Sequence, residues 1–311
     1  MSSLAAPALR PAFSPSGYLF GATGAILFAS KGIIIKIAYG IGLDPETLLA
    51  LRMVFALPFY LVIGAIAVFR MRANGEAMPS RGVLLRSALV GALGYWLASY
   101  SDFLGLQYIS ASFARLILFT YPLFVVLLGA LLFRQPIRAR ALLAFAVAYC
   151  GLAVIFLQNF AATGTDTLRG AGFVAMAALS FALYQLLAGS LLRSIGSALF
   201  TCIAMTSASI VSLAQFALMR PLEGLVVSGD VLTLALMIAI GATVLPTFFM
   251  NAALKRIPPA ANAMIGTVSP VATMGLAFLF LGEKVTMIEL AGSVLVMLGI
   301  GGFSIADARR R

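Results

Sequence analysis

A chain of 311 residues that is 62% apolar, 10% charged and free of histidine cannot cover a water-soluble fold of that size, because soluble domains carry about 25% charged residues. The net charge of +11 does not gather into the one-sided basic face that nucleic acid requires; the cations sit at the ends of apolar runs, where membrane topology is written. Cys150 and Cys202 lie inside apolar stretches and read as small buried hydrophobes, with no disulfide framework and no metal-ligand spacing, so no metal or other cofactor is expected.

Residues 1–16, with Pro7, Pro11 and Pro15, read as a flexible cytoplasmic tail. A secretory signal is the competing reading, since Arg10 precedes an apolar run that ends in small residues near Ala29; the apolar pattern resumes through Ile33 to Ile37 and argues against it. About 20 apolar residues cross the roughly 30 Å hydrocarbon layer. Runs of that length fall at 17–39, 46–69, 83–106, 110–133, 138–157, 168–190, 197–219, 231–252, 259–281 and 286–306, joined by short connections. Residues 307–311 form a basic cytoplasmic tail. The expected fold is an all-α integral membrane protein of ten transmembrane helices.

Cation placement sets the expected direction. The tails and even-numbered loops hold Arg10, Arg70, Arg72, Arg81, Arg86, Arg134, Arg138, Arg140, Arg193, Lys255, Arg256, Arg309, Arg310 and Arg311, against Arg169, Arg220 and Lys284 in the odd-numbered loops. Both termini are therefore expected in the cytoplasm. Lys31, Lys36, Arg52 and Arg115 remain, within or at the edge of spans.

The chain also matches itself. A shift of 148 residues pairs Leu106 with Leu254, Ile109 with Ile257, Pro122 with Pro270, Leu131 with Leu279 and Gly151 with Gly299; a shift of about 151 pairs Gly21 with Gly172 and brings Phe28 near Phe181. The units are 17–157 and 168–306. Five spans per unit is an odd number, so the second unit enters the membrane from the opposite side, an inverted repeat of the kind that places a substrate near the bilayer midplane.

The strings AILFASKGIIIK at 25–36, LLALRMVF at 48–55 and LGLQYISASFARLILFTYPLFVVLLGALLFRQPI at 104–137 resemble the first half of EamA-type members of the drug/metabolite transporter superfamily, and AALKRIPPAANAMIGTVSPVATMGLAFLFLGEKVT at 252–286 resembles the second. The resemblance covers the chain from the first span onward, and the whole sequence looks most like bacterial inner-membrane exporters of aromatic and other neutral amino acids. It implies a ten-helix basket with a central cavity and alternating access. The chain departs from the pattern after the fourth span, where Gln135 replaces a common glutamate; Glu283 keeps one after the ninth.

Three sets of residues are candidates for the site. Proline breaks in corresponding places of two halves point to a binding site or hinge, and Pro122 and Pro270 meet that description; Pro58 and Pro246 interrupt two further spans and fit static kinks as well. Charges inside spans are costly and face a cavity or a partner. Asp102 and Arg115 flank the Gln107–Ile109 turn by about five residues each, so they share a depth of roughly 8 Å and are expected to pair, either as a clamp or as a site for a zwitterion's ammonium and carboxylate. Lys31 joins them or snorkels, whereas Lys36 and Arg52 read as interfacial or structural. Trp96, Ser99 and Tyr100, with Tyr95 and Phe103 adjoining and Phe119 and Tyr121 before the fourth-span kink, form a candidate aromatic lining for a planar side chain. Tyr184, Gln185, Asn251, Asn262 and Ser269 are candidates for neutral polar lining in the second half, and Gly17, Gly21, Gly91, Gly94, Gly299, Gly301 and Gly302 for close helix approach.

An intramembrane enzyme would need zinc ligands, a nucleophile with a base or paired aspartates; Asp102 is the lone acidic residue deep in a span. A nucleotide-driven pump would need a phosphate-binding loop, which does not occur. A scaffold or receptor would leave helix breaks and span charges without a purpose. The reading is a secondary transporter exporting small neutral amino acids or related metabolites across the inner membrane, with another cargo (nucleoside, phosphosugar or drug) as the alternative. Proton coupling would have to use Asp102, Glu283 or Glu289, and facilitated diffusion needs no titrating group.

Overall fold

The computed structural model describes residues 14–134, 136–137, 139–254, 256–257, 265 and 268–308, with backbone alone at 139–141, 251, 254 and 302–308. Among them every regular element is helical: α1 Pro15–Gly40, α2 Pro45–Ala73, α3 Arg81–Leu106, α4 Ala111–Phe133, α5 Ala139–Thr163, α6 Thr165–Ile195, α7 Ser197–Met219, α8 229–254, α9 Val268–Leu281 and α10 Met287–Ala308. Eight of these, α1 to α8, contain stretches long and apolar enough to cross a bilayer, and α9 and α10 contribute shorter apolar helices. The expected ninth span at 259–281 begins outside the described residues.

Local sequence dictates where the helices start. Ser14, Asp44, Ser80 and Ser110 accept hydrogen bonds from the backbone N–H of Gly17, Thr47, Val83 and Phe113, and Pro15 and Pro45 occupy a first position where a missing N–H costs nothing. Two connections consist of one glycine each. Gly164 (φ 57°) separates α5 from α6 and Gly196 (φ 77°) separates α6 from α7, in left-handed backbone that a side chain would strain.

The helices pair across the chain. α1 packs on α8, α2 on α7, α3 on α6 and α7, α4 on α6 and α9, and α5 on α10. Small residues allow the closest approaches: Gly151 and Gly292 each face the other's carbonyl oxygen, and a Cβ at Gly91 would collide with the Ala204 backbone. Gly94 and Gly299 are similarly crowded by neighbouring helices, and Gly17 by Arg256 and Ile257 just beyond α8. Leu19, Phe69, Leu85, Leu131, Leu218 and Leu298 are exposed, an apolar exterior that only lipid covers without cost. Cys202 is buried, but Cys150 lies on that exposed surface, because α5 presents its face to the outside there.

Four irregularities matter for the site. α1 is interrupted at Ser30, and α4 at Phe119–Thr120, one residue before Tyr121 and two before Pro122. α3 widens to a π-helix over Ala92–Leu97, and α8 does so over Met237–Val244. Such widenings leave residues out of the regular ladder and collect at functional sites. Pro58 lies inside an unbroken α2, and Pro270 is buried within α9.

Candidate functional site

The interior of the helix assembly holds a cluster of charge. The Lys31 ammonium sits 2.7 Å from an Asp102 carboxylate oxygen, both side chains about 6–7% exposed. Arg115, expected to partner Asp102, does not reach it; its Nη2 donates instead to the Phe28 carbonyl at 3.2 Å. Ser30 is the reason. The interruption of α1 there leaves the Phe28 and Ala29 carbonyls open to other helices, and Arg115 of α4 takes the first while Thr273 of α9 donates to the second at 3.3 Å.

Arg52 completes the cluster: of the two readings open to it, interfacial or structural, burial goes against the interfacial one, since it is 5% exposed. Its Nε donates to Thr243 Oγ1 at 2.9 Å and its Nη1 to Ser99 Oγ at 3.1 Å. Thr243 lies in the π-helical stretch of α8, and Ser99 follows that of α3 by two residues. The two widenings thus turn one hydroxyl from each half toward the same guanidinium. Thr243 in turn donates to the Ile238 carbonyl five residues earlier, the spacing of a π turn.

Two rings are wedged between the cations. The Phe103 ring centroid is 6.0 Å from Lys31 Nζ and 5.9 Å from the Arg52 guanidinium carbon; the Phe28 centroid is 5.7 Å from Lys31 and 5.4 Å from Arg115. Ring faces stabilise a cation by roughly 0.5–2 kcal/mol, more when it is desolvated. Tyr39 ties α1 to α3 beside this array by donating to the Phe103 carbonyl at 2.8 Å.

The aromatic candidates divide into two groups. Trp96 Nε1 donates to Gln215 Oε1 at 2.6 Å, which explains how a deep indole is tolerated. Tyr100, one turn on, donates to Glu46 Oε1 at 2.8 Å. Arg220 approaches the other Glu46 oxygen at 3.2 Å and Asp44 at 3.5 Å. This chain of contacts joins α2, α3 and α7 from the interior to one rim. At that rim, burial raises the Asp44 pKa, but the Thr47 backbone N–H and hydroxyl together with Arg220 outweigh it and hold the carboxyl below its ordinary value. The bond to Glu46 raises that of Arg220.

Tyr184 belongs elsewhere. It donates to the Tyr95 hydroxyl at 3.2 Å and packs with Tyr95, Phe181 and Phe200, while Tyr121 meets Phe181 edge-on at 5.0 Å. Phe119 packs against the main core. Gln185 points away and is exposed, because one step along a helix turns about 100° from the buried Tyr184. Ser269 has its hydroxyl buried without a hydrogen-bond partner. Asn262 lies outside the described residues, as does the Asn251 side chain.

A cavity of about 140 Å³ lies between α4, α5, α9 and α10, lined by Ser110, Asn159, Glu283 and Glu289 among others. Glu283 there accepts from the Ala111 N–H at 2.8 Å and from the Ser112 hydroxyl at 2.8 Å, a cap on the start of α4. A second, open hollow on the rim is lined by Lys36, Tyr39, Asp44 and Gln107. Neither is lined by Lys31, Asp102, Arg52 or Arg115, so neither is the expected central cavity.

Known proteins place this arrangement. The Bacillus subtilis (strain 168) protein named "Uncharacterized transporter YcbK" is 29% identical over 295 residues, 92% of each chain. A solved crystal structure aligns with 96% of this chain and 99% of its own at a TM-score of 0.60 and 18% identity, a likeness in fold alone. The EamA-like transporter family matches residues 15–157 and 168–305. The chain is a multi-pass membrane protein and belongs to the EamA-like transporter family.

Proposed function

We propose that the protein is a secondary transporter that moves small carboxylate-bearing metabolites, apolar and aromatic neutral amino acids foremost, out across the inner membrane by alternating access. The observation that carries this reading is the buried charge cluster, drawn from α1, α2, α3 and α4 and completed by Thr243 of α8. A side chain ionised within a span marks a substrate or ion path by default, and this one joins both halves of the chain.

What supports an inverted five-plus-five repeat is the pairing of helices. Exchanging each helix with the one five places along turns α1 on α8 into α6 on α3, α4 on α6 into α9 on α1, and leaves α2 on α7, α4 on α9 and α5 on α10 unchanged; all of these contacts occur. The π-helical stretches occupy α3 and α8, partners under the same exchange. Rocking of one half against the other would then alternate access about the cluster. The contacts from Trp96 through Gln215, and from Tyr100 through Glu46 to Arg220, form the latch on one rim. By the distribution of cations that rim faces the periplasm and both termini face the cytoplasm. The helix interruption beside Pro122, with Pro270 in α9, supplies the hinge.

Purified protein in liposomes tests this directly. Labelled Phe, Trp, Met or Thr should exchange across the membrane above the rate of empty vesicles. Flux of a nucleoside or phosphosugar with none for any neutral amino acid removes the amino-acid cargo; no flux for any compound removes the transporter reading.

A further inference from the structure

Counting charge within the cluster gives three cations, Lys31, Arg52 and Arg115, against one carboxylate, Asp102, all between 5% and 7% exposed. Lys31 is within electrostatic reach of both arginines, and all three cations are within reach of Asp102. The next acidic group along α2, Glu46, is about 9 Å outward at 1.5 Å per residue and is already held by Tyr100 and Arg220. Lys31 takes the Asp102 oxygen, and the two arginines are left with neutral acceptors: two hydroxyls and one carbonyl. Each arginine has five N–H donors, so most of their capacity for a planar anion is unspent. Burying two uncompensated cations is strongly unfavourable unless a further anion joins them in part of the working cycle.

An approach exists. Phe28, whose ring faces both Lys31 and Arg115, is itself 44% exposed, so the cluster lies one ring's thickness from the surface of the helix assembly. Phe28 also lies in the last turn of α1 before the interruption at Ser30, so a shift at that break would carry its ring.

We propose that Arg52, Arg115 and Lys31 form the subsite for the anionic head of the transported molecule, a carboxylate or a phosphate, with the Phe28 and Phe103 rings against its apolar part. Because Lys31 occupies Asp102, the subsite offers no matching place for an ammonium group: the head it recognises is an anion, whether or not an amine accompanies it. The inference rests on the transporter reading for its purpose, but its test reads binding without flux.

The experiment compares matched ligands on the purified, lipid-reconstituted protein: 3-phenylpropionate, 3-phenylpropanamide, phenylalanine, phenylalaninamide and phenyl phosphate. The readout is the ligand-dependent shift of the thermal unfolding midpoint, with equilibrium dialysis for affinity. The expected result is binding by compounds with an anionic head and none by the two amides, with 3-phenylpropionate bound at least as tightly as phenylalanine. Tighter binding of phenyl phosphate than of 3-phenylpropionate assigns the subsite to phosphate, and the reverse assigns it to carboxylate; either supports the proposal. Arg52→Gln and Arg115→Gln should each weaken binding by roughly 30-fold or more, and Arg52→Lys and Arg115→Lys, which keep the charge, by less. Amides that bind as well as acids, binding that requires the ammonium group, or Gln variants that fold and bind normally overturn it. The acid and amide comparison uses the unaltered protein, so it stands even where a variant fails to fold. Binding of acids without flux in liposomes removes the transporter reading alone, and flux indifferent to the acid group removes the subsite alone.

Discussion

The two halves of the chain bury different chemistry. Among the described residues, every buried charged side chain lies in the first half: Lys31, Glu46, Arg52, Asp102 and Arg115. The buried polar side chains of the second half are all hydroxyls: Thr167, Ser180, Ser209, Ser212, Thr243, Thr273 and Ser293. If the halves descend from one unit, as their helix pairing suggests, they have divided the work: one holds charge and the other supplies neutral acceptors and packing. Helix geometry persists while site chemistry diverges because packing depends on small residues and shape, whereas a charge in hydrocarbon is kept only where it has a use.

The largest expected effect tests the charged half. Asp102→Asn leaves Lys31 buried without a counter-ion beside two further cations, and loss of one partner from a buried pair costs about 3–5 kcal/mol. Thermal unfolding in detergent should show that loss, and Lys31→Met combined with Asp102→Asn should recover most of it. A double variant as unstable as the single one would mean that Asp102 balances the arginines instead. Pairing Asp102→Asn with Arg115→Met should recover less than pairing it with Lys31→Met, since Arg115 bonds to the Phe28 carbonyl and not to Asp102.

A smaller effect is expected where the halves meet. Thr243→Val removes the acceptor for Arg52 Nε, and a hydrogen bond from a charged donor contributes about 1.5–3 kcal/mol. A double-mutant cycle with Arg52→Leu should report coupling of that order. Additive effects would mean that the second half plays no part in holding the cluster.

Trp96 offers a finer probe, because it is the chain's single tryptophan. Gln215→Leu leaves the indole N–H without its acceptor, at a cost of about 1 kcal/mol, and should shift the emission maximum to shorter wavelength as the polar neighbour is lost. An unchanged spectrum would show that water replaces Gln215 and that the latch is wet.

These tests fall on residues that were unequally legible in the sequence. Membrane spans were plain, since eight helices meet the length and hydropathy that the apolar runs set out, and the family could be seen in the strings around Lys31, Arg52 and Pro122. Lys31 and Asp102 were singled out by the cost of a charge within a span, and the structure brings them together. An interfacial place for Arg52 is one of two readings because its distance from the helix end allows a long side chain to snorkel. The rotation of α2 decides otherwise, and the acceptors that meet Arg52 lie in or beside π-helical stretches of α8 and α3 that no residue pattern announces. Counting residues assigns Asp102 and Arg115 a common depth, but depth fixes one coordinate only. The partner of Arg115 is a backbone carbonyl exposed by the break at Ser30, and carbonyls carry no sequence signal. Gln185 is exposed while its neighbour Tyr184 is buried, because one step along a helix turns about 100°.

The rim should matter least to stability, and its pH response sharpens the contrast with the interior. Arg220, from the second half, meets Asp44 and Glu46 of the first, with 44% of its side chain exposed. Solvent-exposed pairs contribute about 0–1 kcal/mol, so Arg220→Gln should lower the unfolding midpoint only slightly while easing the latch and changing flux. Asp44 has its pKa lowered in the folded protein, so its contribution is fully present above the ordinary carboxylate value and is lost as pH falls through the lowered one. Arg220 is shifted upward and stays charged throughout. The rim's share of stability should therefore be flat from neutral pH down to about 4 and decline only below it. Measuring the midpoint of the unaltered protein and of Arg220→Gln across that range isolates the rim: their difference should shrink only in strong acid. A difference that disappears between pH 7 and 5 would place its titration on some group other than Asp44.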